Sequence, residues 1–174
     1  MDFSLTNEQK MIIDTLKTFV EQELYPHEME VEKTNQIRPE LAAQIKQKAL
    51  DLGLYAANMP EEHGGAGLDT LTLCLMEREL GRANFGLQYI VARPSNILLA
   101  CKGDQIENYL LASIRGDKVD CLAMTEPNAG SDVRSMQCRA ERDGDGFVIN
   151  GTKHFISHAD AADFVILFAA SGVE

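Results

Sequence analysis

The chain contains no run of about eighteen apolar residues, so no segment is predicted to cross a membrane as a helix. Its start, Met1-Asp2-Phe3-Ser4, lacks a basic cluster followed by an apolar stretch, and no signal or transit peptide is read there. Positive charge is scarce. Sixteen Lys and Arg stand against 27 Asp and Glu, a formal net charge of −11. Nucleic-acid and anionic-membrane surfaces need basic patches, so both are excluded as partners, and any phosphate on a ligand must be met by local donors. None of the four cysteines, Cys74, Cys101, Cys121 and Cys138, forms a C-x-x-C pair. Each lies within or beside an apolar segment, which predicts buried, reduced thiols and a cytoplasmic setting. There is no internal repeat, no low-complexity segment and no H-E-x-x-H. The glycines of Gly64-Gly65-Ala66-Gly67 follow no strand and do not meet G-x-G-x-x-G, so they are read as a flexible connection between helices and not as a dinucleotide cradle.

What is present is an ordinary globular balance, 45% apolar and 25% charged over 174 residues. That suffices for one domain, or for one domain and part of another. Thr6-Asn7-Glu8-Gln9 has the form of a capping box. Met11, Ile12, Leu16, Phe19, Val20 and Leu24 then recur at helical spacing, until Pro26 is expected to stop the helix. Pro39 suits the first turn of a second helix with Leu41, Ile45, Ala49 and Leu52 on one face, ending at Gly53. Asp69 or Thr70 caps a third, Leu71 to Leu80, stopped by Gly81. A fourth apolar segment, Leu87 to Cys101, contains Pro94, so the helix is either kinked there or begins at about Ser95. Asp104 caps a fifth, with Ile106, Tyr109, Leu110 and Ile114 inward and Gly116 at its end.

After Gly116-Asp117-Lys118 the hydrophobic period changes. Val119 to Thr125 and Met136 to Arg142 read as strands. Asp143-Gly144-Asp145-Gly146 is a hairpin turn into Phe147 to Asn150. Asn150-Gly151 reads as a second hairpin turn into a strand over Thr152 to Ser157, and Asp163 to Ala170 as a last strand. The fold class is therefore α+β: an all-helical domain over 1–117, then the start of an antiparallel β domain over 118–174.

The most informative run is Leu122-Ala123-Met124-Thr125-Glu126-Pro127-Asn128-Ala129-Gly130-Ser131-Asp132, where an apolar strand gives way to a loop. Thr125 and Ser131 bring hydroxyls that both donate and accept. Pro127 fixes the loop's course, and Gly130 permits a positive φ and a close approach to the backbone. Such a turn can hold a polar, planar heterocycle, although an ordinary strand-to-loop turn has the same local composition. His154 and His158, four apart with Asp160 and Asp163 nearby, invite a metal reading. The predicted strand over Thr152 to Ser157 would not place the two imidazoles on one face, and no metal is assigned.

The run resembles the T-E-P-x-A-G-S-D loop of the acyl-CoA dehydrogenase family. Four further motifs follow the family's order: the Met1-Asp2-Phe3 start with Asn7-Glu8-Gln9, the loop Pro60 to Leu68, the helix end Glu77 to Gly81, and Ile149-Asn150-Gly151-Thr152-Lys153 leading into Phe155-Ile156-Ser157. The resemblance implies an N-terminal helical domain and about half of the middle β domain, with the C-terminal helical domain absent. It implies FAD as cofactor, contacted by Leu122, Met124, Thr125, Gly130, Ser131, Phe155, Ile156 and Ser157. Thr125 would face the pyrimidine side of the ring and Ser157 the N5 and O4 edge. Ser131 would also face the acyl-CoA substrate.

Phe155 stands where the family has tryptophan, keeping a ring but losing the indole N–H. Leu122 stands where an aromatic residue is common. Asn128 replaces glycine, a change that a left-handed turn would tolerate. Cys101 to Gln105 is an imperfect, shortened match to the family's G-T-x-E-Q-K.

The implied reaction is α,β-dehydrogenation of an acyl-CoA thioester with hydride transfer to flavin N5. Electrons would pass on to an electron-transfer flavoprotein or similar acceptor, in a homodimer or homotetramer. The family's catalytic glutamate lies in the C-terminal domain, so the base is expected beyond Glu174 and the 174-residue piece is expected to be inactive alone. Glu126 is read instead as bonding loop N–H groups. Two other functions share these features: a non-catalytic helical interaction module, and a flavin oxidase of the same fold acting on acyl-CoA or a nitroalkane.

Overall fold

A computed structural model describes residues 4–91 and 94–172; the Met1-Asp2-Phe3 motif lies outside them. The chain divides into two compact units, Met1–Asp117 and Lys118–Glu174.

The first unit is helical. Helix α1, Asn7–Phe19, begins on a complete capping box: Thr6 Oγ1 accepts from the Gln9 N–H, and Gln9 Oε1 accepts from the Thr6 N–H. Gln9 also donates from Nε2 to Thr72 Oγ1 (3.2 Å), and the Thr72 hydroxyl donates to Asp69 Oδ2 (2.8 Å). One polar chain thus ties α1 to the N-terminus of α4, Thr70–Leu80, where Asp69 is the cap.

Pro26 does not stop the first helix, contrary to expectation. A π-helical turn, Val20–Leu24, intervenes, and α2 continues over Tyr25–Thr34 with the proline in its first turn. The Tyr25 N–H donates to Val20 O, five residues back. This wider turn carries the chain past the point where the proline ring would meet the preceding carbonyl.

Helix α3, Pro39–Asp51, buries Leu41, Ile45 and Ala49 as predicted, while Leu52, just past its end, is half exposed. The Leu87–Cys101 segment is neither one kinked helix nor one later helix. It gives α5, Phe85–Ile90, and a separate 3₁₀ turn, Asn96–Ala100, capped by Ser95. The fifth predicted helix is mostly π-helical over Ile106–Leu111 and ends in the short α6, Ala112–Ile114. The wide turn shifts the helical phase. Leu110 and Ile114 are buried, but Ile106 and Tyr109 are more than a third exposed, and Asp104 lies inside the helix instead of capping it.

The core is apolar and continuous, built from Leu16, Leu24, Ile45, Met59, Met76, Leu80 and Leu87. Glu79, 5% exposed, is met by Arg78 at 2.7 Å and Arg82 at 3.3 Å. Burial alone would raise its pKa; the hydrogen bonds and charges of the two arginines bring it below the ordinary carboxylate value.

The glycine loop is packed, not flexible. Gly65 and Gly67 donate to Pro60 O and Met59 O, and a Cβ at Gly65 would fall 2.1 Å from Met59 O. Only glycine allows that approach.

The second unit is β, with mixed pairing where an antiparallel sheet was expected. Strand β1, Asp120–Ala123, runs parallel to β4, Phe164–Leu167. Strand β2, Arg139–Asp143, pairs antiparallel with β3, Gly146–Asn150, and parallel with β5, Ala170–Ser171. The Asp143–Gly146 hairpin forms as predicted, with Gly144 at φ +58. The second hairpin does not. At Gly151 the chain passes over Cys138 so closely that a Cβ would sit 2.6 Å from the Cys138 Cα. The expected strand over Thr152 to Ser157 is irregular loop, and the expected last strand breaks into β4 and β5. The β2–β3 hairpin lies between β1 and β4 in the chain, and this long connection allows the two to pair in parallel.

Candidate functional site

Strand β1 ends at Ala123, and the next three residues are held one by one. Met124 O accepts from Lys153 Nζ (2.9 Å), Thr125 O accepts from the His154 N–H (2.8 Å), and Glu126 Oε1 accepts from Lys153 Nζ (2.9 Å). Glu126 also takes the backbone N–H groups of Gln137 (2.6 Å) and Cys138 (2.9 Å). Its side chain is 4% exposed and that of Lys153 8%. Hydrogen bonding from Lys153, then from the Gln137 N–H, lowers the Glu126 pKa from 4.5 to about 2. The carboxylate is thus a structural anion that bonds loop N–H groups, as its place in the loop predicts.

Glu126 and Ala129 exchange backbone hydrogen bonds (2.9 and 3.2 Å) around Pro127 and Asn128. Proline sits at the second position of this turn, where its fixed φ fits. The turn forms with asparagine at 128, as expected, without using the left-handed freedom that asparagine or glycine would permit there. Gly130 does not use a positive φ. A Cβ on Gly130 would meet nothing within 4 Å, so the space beside it is open. Asp132 caps a 3₁₀ turn, Val133–Ser135, accepting from the Arg134 N–H and the Ser135 hydroxyl.

The loop leaves donors unused. Among the described residues, the hydroxyls of Thr125, Ser131 and Ser157 and the backbone N–H groups of Thr125, Gly130 and Ser131 make no hydrogen bond within the chain. Apolar surface accompanies them. Leu122 is 41% exposed and Phe155 81%. Phe155 takes φ +57 and His158 φ +60, bracketing Ile156 and Ser157. A positive φ is costly for a bulky side chain and persists only where neighbours enforce it. The Phe155 ring stacks on the His154 imidazole, with centroids 3.7 Å apart and planes at 15°.

The eight residues singled out in the sequence lie on two strips, 122–131 and 155–157, joined through Lys153 and His154. A separate groove of about 510 Å³ on this unit is lined by Glu141 and by residues of Glu126–Asn128, Gln137–Arg139 and Asn150–Thr152, and by none of those eight. Among the described residues no group of three or more His, Cys, Asp or Glu converges as a metal set. The carboxylate of Asp163 instead accepts from the Val119 N–H (2.8 Å), closing the start of the β1–β4 pair.

Sequence reasoning missed the role of Lys153. The one available signal was a lysine directly after Asn-Gly-Thr, in the same sequence window as the strip it anchors.

Comparison with known proteins identifies the family. A model of the acyl-CoA dehydrogenase N-terminal domain matches residues 6–117, and one of the family's middle domain matches residues 121–174. Benzylmalonyl-CoA dehydrogenase of Aromatoleum aromaticum is 35% identical over all of this chain, which covers 46% of that protein. The solved butyryl-CoA dehydrogenase of Megasphaera elsdenii is 31% identical at a TM-score of 0.78, covering 97% of this chain and 45% of that one. Glutaryl-CoA dehydrogenase of Mycobacterium smegmatis, solved in complex with FADH2, is 26% identical at a TM-score of 0.83, covering 96% of this chain and 43% of that one. The chain thus spans less than half the length of these relatives. With both domain models matched in sequence order over nearly all of it, the chain belongs to the acyl-CoA dehydrogenase family.

Proposed function

We propose that this chain is the helical and flavin-contacting portion of an FAD-dependent acyl-CoA dehydrogenase that oxidises the Cα–Cβ bond of an acyl-CoA thioester. The observation that carries this reading is the set of unused donors at Thr125, Gly130 and Ser131 beside exposed Leu122. The pyrimidine edge of a flavin is rich in acceptors and its ring face is apolar. The donors and the neighbouring apolar surface therefore fit it in kind.

Thr125 would hold the pyrimidine edge through its N–H and hydroxyl, and Leu122 and Met124 would offer apolar contact to the ring. Phe155 and Ile156 would contact the ring as well, and the Ser157 hydroxyl would serve its N5 and O4 edge. Gly130 would leave room for the bound groups, and Ser131 would serve the acyl-CoA. When bound, FAD supplies acceptance of the hydride that leaves the substrate Cβ. The chain's own residues orient the ring and exclude water from one side of it. Glu126 takes no α-proton: both its oxygens are occupied, and a carboxylate with a pKa near 2 is a poor acceptor. The proton acceptor is assigned to no residue of this chain. Delivery of electrons to an electron-transfer flavoprotein, a homo-oligomeric assembly and a cytoplasmic setting belong to the same proposal. All four thiols are free, but only Cys121 and Cys138 are buried as expected; Cys74 is exposed and Cys101 half-buried.

The test is the double substitution Thr125→Ala and Ser157→Ala, read by equilibrium titration with FAD. Each lost hydrogen bond costs about 1 kcal/mol, roughly fivefold in affinity. With two bonds removed, binding weaker by about 2 kcal/mol, roughly thirtyfold, is the expected result. Unchanged FAD affinity overturns the assignment.

A further inference from the structure

We infer that Lys153 is a positioning residue that sets the register between the two flavin-facing strips. The inference rests on the proposed flavin site and adds to it a residue whose side chain need not touch the flavin.

Lysine is almost never buried without partners, and here its side chain is 8% exposed. Its ammonium makes two bonds of 2.9 Å, one to Met124 O and one to Glu126 Oε1. Those partners are the residues immediately before and after Thr125. The next residue along, His154, donates its N–H to Thr125 O itself at 2.8 Å. Three consecutive residues, 124 to 126, are therefore held by two consecutive residues, 153 and 154. Met124 O and the Thr125 N–H belong to one planar peptide unit, and Thr125 O closes the next, so these bonds fix the direction of the Thr125 N–H.

The same two residues lead directly into Phe155-Ile156-Ser157. Phe155 carries a positive φ and its ring lies on His154. A shift of Lys153 would displace both strips relative to each other. The far end of the clamp is anchored independently, because Glu126 also accepts from the N–H groups of Gln137 and Cys138 at the entrance to β2. A neutral side chain of similar length could fill the space, but it could not bridge a carbonyl and a carboxylate at once. An ammonium with three donors can.

The experiment compares wild type, Lys153→Met and Lys153→Arg. Amide hydrogen exchange is read for Glu126, Ala129, Gln137 and Cys138, with the β2–β3 ladder as internal control. FAD affinity and the position of the bound flavin's visible absorption band are read alongside. The expected result for Lys153→Met is exchange at least tenfold faster at those four amides with the β2–β3 ladder unchanged, FAD affinity about tenfold weaker, and a shifted band. Lys153→Arg, which keeps the charge and several donors, should recover most of the affinity and the band position.

Should Lys153→Met fail to fold, Glu126→Gln reads the clamp from its other end. The Gln137 N–H then loses its acceptor and exchanges at least tenfold faster, and FAD binding weakens. Wild-type exchange, affinity and band position in Lys153→Met overturn the inference. So does faster exchange with an unmoved band and unchanged affinity, which would make Lys153 a purely structural residue. Failure of wild type itself to bind FAD would overturn the flavin reading, a result distinct from either.

Discussion

The two units of this chain are held together by different physics. The helical unit buries large apolar side chains completely: Leu16, Leu24, Met59, Met76 and Leu87 each have no measurable exposure. In the β unit the buried hydrophobic residues among those described are all small, namely Cys121, Ala123, Ala129 and Cys138. Its most connected buried group is a carboxylate, Glu126, which accepts from two backbone N–H groups and an ammonium. Several larger apolar residues of this unit face outward, with Phe147 at 60%, Val165 at 53% and Phe155 at 81% exposure, while Phe164, Ile166 and Phe168 are half-buried. One unit owes its cohesion to hydrophobic burial. The other is organised by hydrogen bonds around a single anion and leaves much of its apolar surface exposed.

Four measurements test that contrast. The largest effect is expected in the helical core. Leu80, 1% exposed, is replaced by alanine, and the loss is about 2–5 kcal/mol in urea unfolding. A value below that range would mean the helical core is looser than its burial indicates.

In the β unit, Gly151→Ala should cost about 1–3 kcal/mol, because the new Cβ meets backbone that cannot move aside. It should appear first as lost amide protection in β2 and β3. Normal protection there would show that the crossing over Cys138 is not needed.

Acid provides a third, smaller effect. The Glu126 pKa is depressed to about 2 in the folded chain, below its ordinary 4.5. Its contribution is therefore fully present above the unfolded value and is lost as pH falls through that interval toward the folded one. The unfolding midpoint of wild type should fall more steeply between those two values than that of Glu126→Gln. Parallel pH profiles would contradict the central role given to this carboxylate.

The smallest effect should come from Phe147→Ser on β3, within about 0.5 kcal/mol despite the loss of an aromatic ring. A cost like that of Leu80→Ala would erase the distinction between the two units.

The sequence was most readable where chemistry is local. The capping box at Thr6, the cap at Asp69 and the Asp143–Gly146 hairpin each depend on a few adjacent residues, and all three are present. The role of Glu126 was readable for a similar reason, since a carboxylate after a strand end has loop N–H groups within reach.

What could not be read depends on distant partners. Proline at position 26 breaks a regular α-helix but not one that widens into a π-turn, and nothing in the apolar spacing marks the difference. Ile106 and Tyr109 fit a helical period that the chain does not keep there. Lysine is by default a surface residue, so the burial of Lys153 becomes visible only once Glu126 and Met124 are beside it. The positive φ of Phe155 and His158 has no signature in residue type.

The widened turn at Val20–Leu24 has one last consequence. It joins α1 and α2 into a continuous rod of roughly 40 Å. A π-turn of this kind amounts to a single inserted residue within an α-helix. Deleting any one residue of that stretch would restore ideal geometry, and by doing so would drive the Pro26 ring into the carbonyl one turn behind it. In this rod a more regular helix is the less stable one, and a shortening that looks harmless on a helical wheel should snap it in the middle.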